Sequence, residues 1–184
     1  VDFSTASRQG EPFVFLIRKR NFLPNPVTRF CTQELKIRVM RDWMTAHGYE
    51  HWTNVVGIRA DEPRRVARIK GRVIPERWDM ALPLADAGIT KAHVEAFWSA
   101  QDFDLQLQPW EGNCDLCFLK GYQKKLRIIE DHPELAAWWI EREREIGAGF
   151  RRDQPSYEQM ALYVQRQQRF QFEDEPLIDC LCGD

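Results

Sequence analysis

Five cysteines carry most of the chemical possibilities in this chain. Cys114 and Cys117 stand two residues apart in "GNCDLCFLKG" (112–121), Cys180 and Cys182 form the C-x-C of "DCLCGD", and Cys31 stands alone in "RFCTQELK" (29–36). A C-x-x-C turn delivers two thiolates to one point, and Gly112 and Asn113 suit a turn whose amides donate to sulfur. The chemistry open to such a set is tetrathiolate zinc binding, a 4Fe–4S cluster or dithiol redox exchange. A redox pair of the thioredoxin kind opens a helix after a first β-strand, whereas this pair lies far down the chain. Convergence of two close pairs and a fifth thiol on one metal is the stronger reading, because five unrelated buried thiols would be an unusual coincidence. Spacing alone leaves zinc and 4Fe–4S both open.

A second constellation is cationic. "VVGIRADEPRR" (55–65) sets Arg59, Arg64 and Arg65 directly after a β-branched run, and residues 59–72 carry six basic and two acidic side chains in a chain of net charge −2. Arginine forks bind phosphate or sulfate bidentately, and ligands of open α/β sheets sit beyond the carboxyl ends of strands. A solvated charged loop is the plain alternative. Arg29 and Lys36 flank Cys31, and cationic neighbours lower a thiol pKa.

Elements must hold these groups. "PFVFLI" (12–17) reads as a strand or short buried segment, and "TNVVGIR" (53–59) as a buried strand. "ADEPRRVARIKGR" reads as a polar loop and "FDLQL" (103–107) as a half-buried strand. Thr32 is placed to cap a helix from about Gln33 to His47, with Leu35, Ile37, Met40, Trp43 and Met44 as its apolar face. Thr90 is placed to cap another to about Gln101, with Val94, Phe97 and Trp98 on one face. Helices are further expected from about Phe118 to Glu130, from Pro133 at a first helical position, and from Ser156, which makes a capping box with Gln159, to about Phe170. Strands separated by helices predict an α/β segment over 1–110 and a helical, cysteine-bearing segment over 111–184.

The chain has 184 residues, 43% hydrophobic and 12% aromatic, which is globular composition and not that of a disordered chain. The slight negative charge argues against nucleic-acid binding through bulk charge, though nucleic acid stays open as a substrate. No apolar run approaches the length of a membrane span and no signal peptide is apparent, so a cytoplasmic protein is expected, with cysteines kept for metal or redox work. The opening "VDFSTASRQGEP" reads like the middle of a longer protein.

Taken together, "RFCTQELK", "VVGIRADEPRR" and "GNCDLCFLKG" resemble, in order, motifs of the phosphoadenosine phosphosulfate reductase-like family in its bacterial and phage branch, within the adenine nucleotide alpha-hydrolase superfamily. The resemblance covers roughly residues 25–117. It implies a Rossmann-like α/β domain that binds an adenine nucleotide, ATP or a sulfonucleotide, and whose helical C-terminal part carries an iron–sulfur site. Carried onto this sequence, it makes Arg59 and Arg65 anion ligands, brings Lys36 and Arg29 to the same cleft, and makes Cys31, Cys114, Cys117 and Cys182 the 4Fe–4S ligands, with Cys180 as substitute. Sulfur transfer or reduction, served by an electron-donor or sulfur-donor protein, is the implied chemistry. A non-catalytic zinc-stapled domain that binds protein or nucleic acid is the alternative. Three features depart from the family pattern. No Ser-Gly-Gly phosphate loop precedes Cys31, so the chain is read as the part C-terminal to that loop. Glu62-Pro63 replaces the usual Glu-Ser, and "CLCGD" only echoes the family's C-terminal nucleophile motif.

Overall fold

The computed structural model of the chain describes residues 4–71, 76–104, 106–112 and 114–167. They divide into two compact units, one drawn from Val1–Ile37 and Leu107–Leu181, the other from Arg38–Gln106. The division is therefore not the one expected at residue 110. The N-terminal segment belongs with the helical C-terminal part, and the strands lie in the middle of the chain.

The first unit is helical. "PFVFLI", expected as a strand, lies within helix α1 (Glu11–Arg20). The reason is visible in the packing. Leu16 and Ile17 are buried while Phe15 is 67% exposed, so one helical stripe and not an alternating face meets the core. Gly10 precedes α1 with φ of 81°, a left-handed conformation that favours glycine. A short helix α2 (Phe30–Thr32) runs into a π-helical turn, Gln33–Ile37. Arg29, not the expected Thr32, is the N-cap residue. After the cysteine loop come α7 (Tyr122–Asp131), a 3₁₀ turn (Pro133–Leu135), α8 (Ala136–Ile146) and α9 (Tyr157–Arg166). Pro133 starts its turn as the sequence predicts, and Ser156 caps α9, accepting from the Gln159 amide at 3.2 Å while its own N–H donates to Gln159 Oε1 at 2.9 Å.

The core of this unit is aromatic. Trp139 lies 4.8 Å from Phe150 and 5.1 Å from Tyr157 between ring centroids, and Phe118 stacks on Phe150 at 5.9 Å. Leu116, Leu126, Ile128, Ile129 and Met160 close it, each 2% exposed or less. Glu143, buried in α8, accepts from the amides of Phe150 (3.1 Å) and Tyr157 (2.8 Å) and so ties the 147–156 connection to the start of α9.

The second unit begins with α3 (Arg38–Ala46), followed by β1 (Trp52–Val55), α4 (Pro63–Lys70), β2 (Trp78–Ala81), α5 (Pro83–Asp86) and α6 (Lys91–Ser99). β1 and β2 pair in parallel, Trp52 opposite Trp78 and Val55 opposite Ala81. Here the expected Rossmann-like α/β sheet is corrected: among the described residues the sheet has two strands of four residues each, and the other elements are helical. Three sequence expectations fail with it. "TNVVGIR" is a strand only to Val55, which is 69% exposed rather than buried. The "polar loop" 60–72 contains α4, started by Pro63 at its first position. The described residues of "FDLQL" form no strand. α6 does form after Thr90, whose N–H donates to His93 Nδ1 at 3.1 Å, yet its face of Phe97 and Trp98 is exposed, as are Met40 and Trp43 on α3. No helix among the described residues is long and apolar enough to cross a membrane.

Candidate thiol site and arginine network

Three of the expected ligands fall in the first unit. Cys31 sits in α2, half-buried. Cys114 is half-buried, and Cys117 is 5% exposed. The fold brings Cys31 and Cys114 within electrostatic reach of each other although they are far apart in sequence. Burial pushes the Cys31 thiol up, bonds with Thr32 oppose that, and Cys114 adds to the rise. This corrects the expectation of a lowered thiol: desolvation is the largest influence, and Arg29 and Lys36 are not among the groups that move it. Lys36 is exposed, in the π-turn that follows Cys31, and π-turns recur at functional sites. Arg29 is half-buried at the N-cap of α2. Cys180, Cys182 and Asn113 lie outside the described residues.

The Cys114–Cys117 loop is fastened from both ends and from beneath. The Lys120 amide donates to the Cys117 carbonyl at 2.9 Å. The Tyr157 hydroxyl, fully buried, donates to the Leu116 carbonyl. Burial raises the Tyr157 pKa well above its usual value, with Cys117 and Glu143 adding to the rise, so the phenol stays a donor. Lys120, 7% exposed, reaches back to donate to the Trp110 carbonyl at 3.1 Å. A Cβ built on Gly112 would stand only 3.6 Å from Lys120 Nζ, so the ammonium lies under the turn that leads into Cys114. Trp110 itself is held by Asp131, which accepts from its indole at 3.2 Å, and by Arg127 at 5.0 Å over its ring.

Lys125 is the most deeply buried cation of the chain's described residues, 1% exposed. It donates to Gln154 and lies 5.2 Å over the Tyr157 ring. Burial, then the like charge of Arg151, holds its ammonium down to about 8, while Glu143, Cys117 and Asp153 pull the other way. Sequence reasoning passed over Lys120, Lys125, Glu143 and Tyr157. A signal for Lys125 exists: it stands three and four residues before Ile128 and Ile129, on the apolar stripe of α7.

Does this set fit a thiolate-bound metal? The donor types are right: two half-buried thiols within electrostatic reach of each other and a third, buried one in the same loop. Among the described residues, however, no three His, Cys, Asp or Glu side chains are grouped as a metal requires. The remaining donors would have to come from Cys182 or Cys180.

The arginine network is in the second unit. After β1, the Val56 amide still follows the ladder, donating to Ala81 at 2.9 Å, and Ile58 is buried. The chain then turns through Arg59, whose amide donates to Glu62 Oε2 at 3.0 Å and whose Nε donates to Asp61 at 2.9 Å. Glu62, with a side chain only 2% exposed, also pairs with the guanidinium of Arg65, and Arg59 Nη1 lies 3.6 Å from it. Two guanidinium groups thus face two carboxylates, so the local positive charge expected from sequence is largely compensated. One donor is left over: Arg65 Nε is buried with no partner.

No protein-family model matches this chain, and no solved structure matches it. Among curated proteins it is similar to the uncharacterized nin region protein ORF290 of Escherichia phage lambda, 33% identical over 125 residues. The match covers 67% of this chain and 40% of that phage protein, so the chain spans less than half of its relative's length.

Proposed function

We propose that this chain is the thiolate-bearing part of an iron–sulfur protein similar to phosphoadenosine phosphosulfate reductases, which binds an adenine nucleotide or sulfonucleotide and acts in sulfur transfer or reduction. The observation that carries the reading is the approach of Cys31 to Cys114, beside Cys117, in one unit. Cys31 and Cys114, far apart in sequence, are within electrostatic reach of each other. Cys31, Cys114, Cys117 and Cys182, with Cys180 as substitute, would hold the 4Fe–4S cluster. When bound, the cluster would supply a redox or sulfur-binding centre tuned by the charges around it.

The protein's own residues supply the rest. Arg59 and Arg65 are held in fixed orientation by Glu62, and the leftover Arg65 Nε–H is a donor for a phosphate or sulfate oxygen. In the first unit, Lys36 and Arg29 flank Cys31 as further basic groups. An electron-donor or sulfur-donor protein completes the scheme, with nucleic acid as a candidate sulfur acceptor.

A zinc-stapled binding module is the second reading, and one observation favours it: Asp61 and Glu62 already compensate Arg59 and Arg65, leaving little net charge for an anion.

Anaerobic purification separates the two. The cluster reading expects brown protein with about four irons per chain. Colourless protein with stoichiometric zinc overturns it. With iron present, nucleotide titration of Arg59→Ala should show weaker binding than wild type, and equal affinities would remove Arg59 from the site.

A further inference from the structure

Among the described residues, β2 is bonded along one edge only. The β1-side amides of Trp52 and Val56 donate to the carbonyls of Arg77 (3.2 Å) and Ala81 (2.9 Å). Successive residues of a strand aim their backbone groups to opposite sides, so Arg77, Asp79 and Ala81 face β1, while Trp78 and Met80 face away from it. On that outer side no described backbone group meets the N–H or C=O of Trp78 or Met80. A cavity of about 360 Å³ lies beside these residues. It touches Trp78, Asp79 and Met80, whose side chains alternate between the two faces of the strand, and it touches no residue of β1. A hollow that meets both sets of side chains and avoids β1 follows the outer edge. Leu82, 2% exposed, adds an apolar wall.

The lining is acidic. Glu76, Asp79 and Asp86 face one ammonium, that of Lys70, and Lys70 is already paired with Asp86 at 2.6 Å. Glu76 has no charged partner among the described residues, and Asp79 has only the imidazole of His51, 3.8 Å away. Arg77 lines a different hollow, with Arg41 and Asp42. Unpaired ladder groups are a template for another extended chain, and peptides bind sheet edges in this way. A ladder of two short strands gains stability from a third.

We propose that the outer edge of β2 seats an extended, basic peptide segment of a partner protein. The segment joins as a third strand beside Trp78 and Met80, and its lysine or arginine side chains meet Glu76 and Asp79. The ladder groups supply the affinity of the backbone and the two unpaired carboxylates choose the sign of the partner's charge. All the residues involved belong to the second unit, so the proposal is independent of the thiols.

The test uses the whole chain and a capped, fluorescently labelled peptide of alternating arginine and valine. Its controls are the same peptide with glutamate for arginine and the same peptide with alternate backbone amides N-methylated. The arginine peptide is expected to bind, by anisotropy, and to slow amide exchange at Trp78 and Met80. The glutamate and N-methylated peptides are expected to bind more weakly. Glu76→Gln and Asp79→Asn should each weaken the arginine peptide about two- to fivefold, the range for exposed ion pairs. Met80→Pro removes an outward N–H and leaves the bonds to β1 in place, since proline is tolerated where a strand's N–H faces solvent. It should weaken binding up to about tenfold, the scale of one hydrogen bond. If Met80→Pro does not fold, the N-methylated peptide carries that part of the test. A glutamate peptide bound as tightly as the arginine peptide overturns the proposal, as does binding that leaves the Trp78 and Met80 amides unprotected. No binding of the arginine peptide overturns it too. Protection of those amides that grows with protein concentration in the absence of peptide would give the edge to a second copy of this chain and overturn the basic peptide.

Discussion

The two units of this protein are built on different principles. The first buries a continuous aromatic and aliphatic core, with Phe118, Phe150, Tyr157 and Ile17 each 1% exposed or less. The second buries only Ile58, Leu82 and the Glu62 carboxylate among its described residues, and leaves Met40, Trp43, Val55, Phe97 and Trp98 in view. Apolar burial is the main favourable term in folding. The first unit therefore supplies its own stability, and the thiol loop rests on that rigid base. The second depends on short-range features: a two-stranded parallel ladder, a capped helix and an arginine–carboxylate network. Parallel strands are usually covered on both faces, so the exposed apolar side chains here mark the less self-sufficient part.

The sharpest way to break this contrast is truncation of one aromatic in each unit. Tyr157→Ala removes a fully buried ring and the bond to Leu116, and should cost about 3–5 kcal/mol in urea unfolding. Trp43→Ala, at a side chain 54% exposed, should stay within about 0.5 kcal/mol. Equal costs would mean that the second unit has a core of its own. Next in size is Glu143→Ala, which strands the amides of Phe150 and Tyr157. Each buried unsatisfied donor costs about 1–3 kcal/mol, and amide exchange at those two positions should quicken. Ser156→Ala removes the cap of α9 and should cost about 1 kcal/mol, read as a lower thermal midpoint.

The smallest effect is a pH dependence. The hydrogen bond from Arg151 holds the Asp153 carboxyl down to about 2. A depressed carboxylate pKa adds stability above the unfolded-state value and loses it as pH falls through the folded one. Asp153 is fully exposed, so the gain is slight. The thermal midpoint of wild type should exceed that of Asp153→Asn at pH 5, and the gap should close as pH falls from about 4 to about 2. A gap unchanged over that range would show that the pair contributes nothing.

Local signals in this chain were legible and non-local ones were not. Ser156 with Gln159, Thr90 before α6 and Pro133 at a helical start were read correctly, because a cap or a proline acts on the backbone within four residues. "PFVFLI" and "VVGIR" were misread, since a short apolar run looks alike in a strand and in one stripe of a helix. The α/β expectation followed from those misreadings, and two short strands replaced the sheet. The arginines were found as a cluster, but not that Glu62 would occupy them.

By itself the sequence determined which groups are available: five thiols, an arginine-rich turn after a β-branched run, and the caps that start α6 and α9. Tertiary structure alone decided which of them meet. It brought Cys31 within electrostatic reach of Cys114, turned Arg59 and Arg65 onto a buried carboxylate, and took Lys120 and Lys125 out of water. The reason is physical: a residue's type fixes its chemistry locally, whereas its charge state and partners depend on desolvation and on neighbours that only the packed chain brings near.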